Sequence, residues 1–142
     1  MERLVMTKLE FSCLAAKQAK GSTVLSFVAN AEQISQIARI SRVRRDENRE
    51  LHGFQRSQIG NHINEIQDYL ESDEAVLPNA IILAFTDGAT FSPNKDGRTG
   101  TLSVDLREQQ VGLIVDGQQR FSALRLLDGK DFEVFVSAII CR

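Results

Sequence analysis

A chain of 142 residues with 42% hydrophobic composition is long enough to bury one compact core and short for two. Its formal net charge of -2 argues against a protein that holds nucleic acid by bulk positive charge, while leaving room for a local basic face. No apolar run is long enough to cross a bilayer, and residues 1–21 carry charges throughout in place of a signal-peptide core, so the chain reads as cytoplasmic with no membrane partner.

Residues 7–14 and 23–28 have the composition of two strands joined by a polar turn, and are expected to pair as a hairpin. Asn30 followed three residues later by Gln33 is a helix-start signature, and Ile34, Ile37 and Ala38 supply a short apolar face. That helix is expected to fray into a stretch crowded with Arg39, Arg42, Arg44, Arg45 and Arg49, the best candidate for contact with a DNA phosphate backbone. The alternative is a solvated helix end or loop, because Asp46, Glu47 and Glu50 are interleaved and neutralise much of the charge.

Gly53-Phe54-Gln55-Arg56 precedes Ser57, which is placed to cap a second helix with Ile59, Ile63, Ile66 and Leu70 or Tyr69 at core-facing spacing. Glu71-Ser72-Asp73-Glu74 closes that helix at the end where the dipole disfavours carboxylates, and reads as solvent-facing loop rather than as a catalytic acid pair. Residues 80–85 form a short apolar strand, and residues 87–100, rich in Gly, Asp, Asn and Pro, read as an excursion loop. The chain returns as a half-exposed strand through Leu102, Val104 and Leu106, turns at residues 107–110, and enters a β-branched strand over 111–115. Phe121, Leu124 and Leu127 then mark a helix, Asp128-Gly129-Lys130 a turn, and residues 132–140 a last strand with Phe132, Val134, Val136 and Ala138 on one face. Strands interrupted by three helices give an α+β or mixed α/β domain. A strand this apolar would normally be followed by more fold, so the chain reads as the N-terminal part of a longer protein.

Cys13 and Cys141 lie near opposite ends and fit free thiols better than a disulfide framework, and His52 and His62 lack the close partners of a zinc site.

The polar run Asp116-Gly117-Gln118-Gln119-Arg120 separates the 111–115 strand from the Phe121 helix. Asp116 is positioned as an N-cap with Gln119 at the capping-box position, and Gly117 relieves crowding at the turn. Free N–H groups of the first turn beside the Arg120 fork make a favourable place for an anion such as phosphate. Two other readings stand beside it: Asp116 and Arg120 pair across the turn as a purely structural unit, or the motif binds a protein.

Taken together, Gly53-Phe54-Gln55-Arg56, the helix through His62-Ile63-Asn64-Glu65-Ile66 and Tyr69-Leu70, Pro78-Asn79-Ala80-Ile81 and Asp116-Gly117-Gln118-Gln119-Arg120 resemble the DGQHR-domain family. That family includes the DndB proteins of bacterial DNA phosphorothioate modification systems and relatives in 7-deazaguanine modification systems. The resemblance covers roughly residues 21–140 and implies an α+β, ParB/sulfiredoxin-like mixed sheet with helices packed against it, as one domain over 1–142. Gln119 stands where the family name has histidine; it can exchange hydrogen bonds but cannot titrate near neutral pH, so general-base chemistry is not available there.

The resemblance implies a phosphate or nucleotide site of Gln55, Arg56, Gly117, Gln118, Gln119 and Arg120, with Asp116 and Arg120 as catalytic candidates. ATP or another nucleoside triphosphate would enter with Mg²⁺, and Asp116 or Glu65 would hold the Mg²⁺ or a water. With no Walker A sequence, hydrolysis would use ParB-like geometry. The main expectation is a ParB-like component of a bacterial DNA-modification system that binds, with hydrolysis left open, a nucleoside triphosphate in association with DNA. The alternative is a non-catalytic, DndB-like transcriptional regulator of a phosphorothioate operon. A third is a scaffold for partner enzymes, suggested by the apolar terminal strand around Phe135. Expected partners are DNA and other proteins of the modification system, with homo-oligomerisation open.

Overall fold

The computed structural model describes residues 7–40, 49–106, 110–127 and 131–141, with the backbone alone over 49–59. Period-2 alternation of apolar side chains makes β1 (Lys8–Ala16) and β2 (Ser22–Ala29), and they pair antiparallel as the expected hairpin. Phe11 and Cys13 of β1 and Leu25 and Phe27 of β2 face the core. The Phe11 and Phe27 rings lie 4.5 Å apart and tilted by 35°, an aromatic contact that adds about 1 kcal/mol to the area buried. Burial pushes the Cys13 thiol above its ordinary pKa, against a smaller opposing effect from the Leu102 backbone.

Asn30 caps α1 (Ala31–Ile37) as its sequence demands. Its side chain accepts from Gln33 N at 2.9 Å while Gln33 Oε1 accepts from Asn30 N at 2.9 Å. This reciprocal pair satisfies two backbone donors that the first turn leaves open. The helix does not fray. Ile34 and Ile37 are fully buried, and the backbone turns extended at Ala38 into a short strand, β3 (Ala38–Ile40), which carries Arg39. Pairing parallel to the 111–115 region gives these residues a ladder that local sequence does not announce.

Helix α2 (Arg49–Leu70) runs unbroken through Gly53, Ser57 and Gly60, so Ser57 is an interior residue and not a cap. Two interior glycines each cost a helix about 1 kcal/mol relative to alanine, and tertiary packing offsets this: Ile63 and Ile66 press on the core and Leu70 is fully buried. Gln67 Nε2 reaches the Leu126 carbonyl at 3.4 Å. After α2, residues 71–74 are exposed as expected. The Tyr69 hydroxyl donates to Val76 O at 3.1 Å and accepts from Val76 N at 3.0 Å, fixing the approach to β4 (Ile81–Phe85).

The expected loop over 87–100 is instead a hairpin, with β5 (Ala89–Pro93) antiparallel to β6 (Thr99–Asp105). The turn-forming residues that suggested a loop are concentrated at its tip. There Asp96 accepts from the backbone N–H groups of Arg98 and Thr99, each at 2.9 Å, and from the Thr99 hydroxyl at 2.8 Å. Leu102 and Val104 on β6 are fully buried, each stabilising the fold by about 1.5–3 kcal/mol relative to exposure.

β7 (Gly112–Asp116), α3 (Gln118–Arg125) and β8 (Val134–Cys141) complete the described fold, while the expected turn at Asp128-Gly129-Lys130 lies outside the described residues. Val134, Val136 and Ala138 of β8 face inward as their alternation requires, with Phe132 partly buried behind them. Phe135 faces out beside Val28. All the strands join one eight-stranded sheet in the order β3-β7-β4-β8-β2-β1-β6-β5, parallel at β3/β7 and β4/β8 and antiparallel elsewhere. The result is a mixed α+β sheet with helices packed against it and one continuous apolar core. Among the described residues no helix is long and apolar enough to cross a membrane.

Candidate functional site

The Asp116–Arg120 motif sits at the β7–α3 junction, but its parts are arranged differently from the sequence expectation. Asp116 is the last residue of β7 and is exposed. The N-cap is Gly117, at φ +87° in the left-handed region, with no side-chain capping bond, so neither the Asp116 cap nor the Gln119 capping box forms. Glycine adopts that left-handed conformation without steric cost. Gln118 instead ties the helix back to its strand, donating from Nε2 to Ile114 O at 3.0 Å.

Arg120 is committed within the fold. Its Nη2 donates to the Ala80 carbonyl at 2.9 Å, joining α3 to the start of β4. The guanidinium crosses directly over Gly117. A Cβ there would stand 2.9 Å from Arg120 Nη2, 3.2 Å from Ile81 Cγ1 and 3.3 Å from Ile81 Cα. Glycine is therefore required at this position by backbone conformation and by close approach. Arg120 Nε is buried without a hydrogen-bond partner, an arrangement that costs stability. The partner of Arg120 is thus a backbone carbonyl rather than Asp116.

Beside this junction lies a small cavity of about 190 Å³, lined by His62 and Ile66 of α2 together with Asp116, Gly117, Gln118, Gln119 and Arg120. α2 contributes to this cavity at His62 and Ile66, while the side chains of Gln55 and Arg56, expected to converge with Arg120, lie outside the described residues. Glu65 is turned to His62, Oε2 to Nδ1 3.8 Å, on the solvent side of α2. Among the described residues no group of three or more His, Cys, Asp or Glu side chains comes together in a way that could hold a metal ion. Asp116 alone offers one carboxylate, which fits Mg²⁺ only when phosphate oxygens and water complete the shell.

The other end of α3 carries a second arrangement. Arg125 lies over the Phe121 ring, its guanidinium carbon 5.6 Å from the ring centroid. It lines a cleft of about 360 Å³ with Ser35, Arg39, Ile40, Gln110 and Phe121. Gln110 Nε2 donates to Ser35 O at 3.1 Å and closes one side of this cleft. Of the arginines singled out by sequence, Arg39 is exposed here on edge strand β3, Arg42, Arg44 and Arg45 lie outside the described residues, and Arg49 opens α2 with its side chain likewise undescribed. Arg125 escaped the sequence reading because it falls in the Phe121 helix segment, outside the arginine-rich stretch. Its spacing of four from Phe121, which lets a guanidinium lie on a ring one turn away, was the available signal.

A family model described as DndB, DNA-sulfur modification-associated, matches residues 11–132, well over half of the chain. The chain belongs to the DndB family. The match runs from β1 to the residues before β8 and includes both the arginine-rich stretch and the Asp116–Arg120 junction. No curated protein and no solved structure matches the chain. Membership in the DndB family links this fold to DNA modification by sulfur and agrees with the resemblance drawn from its motifs.

Proposed function

We propose that this DndB-family protein is a non-catalytic DNA-binding regulator of a DNA phosphorothioate modification operon, contacting duplex DNA through the arginines that begin at Arg39. The family match over the segment bearing those arginines is the observation that carries the reading. Arg120 gives one N–H of its guanidinium to the Ala80 carbonyl, which turns at least that donor away from a transferring phosphoryl group. The mixed sheet with helices against it is consistent with the ParB/sulfiredoxin-like architecture that belongs to the same reading. Other proteins of the modification system are the partners it implies.

Binding of a labelled duplex by the full-length protein, titrated at several salt concentrations, tests this. The reading requires affinity that falls steeply with salt and drops when Arg42, Arg44 and Arg45 are replaced by alanine. Duplex binding that is absent, or indifferent to salt, would overturn it.

A second reading, nucleoside triphosphate binding with Mg²⁺ at the Asp116–Arg120 junction, is favoured by the cavity that the motif lines at the start of α3. Ligand pockets usually run to about 300–1,000 Å³, so a cavity of about 190 Å³ suits one phosphoryl group rather than a whole nucleotide. Thermal shift with ATP, CTP or GTP and Mg²⁺, compared between wild type and D116A, tests it. A shift equal in both proteins removes Asp116 from the site, and no shift with any of the three removes the reading.

A further inference from the structure

We infer that Arg39 and Arg125 form a clamp for a single backbone phosphate of duplex DNA, in the cleft between edge strand β3 and the C-terminal half of α3. The inference rests on the DNA-binding reading above and names a contact which that reading does not contain. Both arginines line the same cleft of about 360 Å³, and no carboxylate lines it among the described residues. Two exposed guanidiniums lining one concave, polar space, with no carboxylate among its described lining residues, repel each other, and an oxyanion between them relieves that repulsion.

The surroundings prepare the site. Phe121 is buried and fixed in the core, so a guanidinium stacked on its ring gives up little further freedom when it takes an anion. Gln110 is held by its bond to Ser35 O. Glu32 and Asp131 line an adjoining cavity that Arg125 and Ser35 also border, and Asp131 already accepts from Asn30 Nδ2 at 2.9 Å. Position in the sheet favours polymeric DNA over a free nucleotide. β3 is an edge strand, so the cleft opens at the rim of the sheet, and the chain passes from Ile40 straight into the stretch containing Arg42, Arg44 and Arg45. Among the described residues the one aromatic lining the cleft, Phe121, is covered by Arg125 and offers no face to a base.

The test is duplex binding by the full-length protein, followed by fluorescence anisotropy from low to moderate salt, for wild type, R39A, R125A, R39A/R125A and R98A. Arg98 sits in the β5–β6 hairpin at the other edge of the sheet, so R98A controls for loss of one positive charge. Affinity should fall for each clamp variant on duplexes of unrelated sequence, and the double variant should flatten the slope of log affinity against log salt by about 0.9, the share of one phosphate. The two single losses should be non-additive, because both side chains hold the same oxyanion. Additive losses, or a double variant that binds as wild type does while wild-type binding remains salt-steep, would overturn the clamp and leave the regulator reading standing. No duplex binding by wild type overturns both. A double variant that loses affinity for inorganic phosphate or ATP but not for duplex shows a small-anion site and overturns the assignment to DNA.

Discussion

At the N-terminal end of α3 the Arg120 guanidinium crosses Gly117 and donates to the Ala80 carbonyl, whereas at the C-terminal end the Arg125 guanidinium rests on the Phe121 ring and faces an open cleft. The two residues share a helix and a chemistry, yet the first gives an N–H to the joint of α3 with β4 while the second lines a cleft with no carboxylate among its described lining residues. A motif that stands out in sequence can be conspicuous because an architectural joint needs several unusual residues at once. A ligand-facing arginine needs only an open surface and a rigid support, which leave little trace in sequence.

Substitutions that separate joint from cleft test this contrast. The largest effect is expected from G117A: a left-handed non-glycine residue costs about 1–3 kcal/mol, and the new methyl also crowds Arg120 and Ile81. Denaturant unfolding should place G117A at the top of that range or beyond it, and an unchanged midpoint would mean that the corner is built otherwise. R120A should cost about 1.5 kcal/mol through loss of a charge-assisted hydrogen bond, while R125A, exposed and resting on the Phe121 ring, should cost about 0.5 kcal/mol. Equal losses for the two variants would erase the distinction drawn between the ends of α3.

D116A provides a finer test. A side chain that caps a helix is worth about 1 kcal/mol, but Asp116 does not cap α3 and is exposed, so its replacement should change stability by less than about 0.5 kcal/mol. A full capping loss would restore the N-cap role.

The smallest effect concerns the far edge of the sheet. The backbone N–H of Arg98, then that of Thr99 and the Thr99 hydroxyl, hold the Asp96 carboxyl below its ordinary pKa. Its stabilising contribution is therefore present above the ordinary carboxylate value and disappears as pH falls through the lowered one. D96A should melt slightly below wild type at neutral pH, with the two curves converging in acid. A gap that persists in acid would assign the effect to something other than ionisation.

Local signals carried far in some elements. Reciprocal capping by Asn30 and Gln33 needs only residues three apart, and the inward face of β8 follows from alternation alone, so both were legible. The β5–β6 hairpin was hidden because its turn residues dominate the composition of 87–100, while its pairing partners lie on the far side of that turn. β3 was hidden for a different reason: three residues hold a strand only because β7, distant in sequence, offers a parallel ladder. At the Asp116–Arg120 junction the glycine-dependent turn was legible, but the cap was misplaced by one residue because the left-handed conformation of Gly117 is set by the close passage of Arg120 and Ile81. The Arg39–Arg125 cleft depends on tertiary packing of β3 beside α3, which no spacing rule encodes.

A DndB-family protein that meets duplex DNA through arginine–phosphate contacts must release counterions as it binds. The most direct test is the wild-type dissociation constant for a duplex as a function of salt. A steep loss of affinity with rising salt, on a log–log slope corresponding to several phosphates, is the expected result. A flat slope, or no binding at low salt, would contradict it.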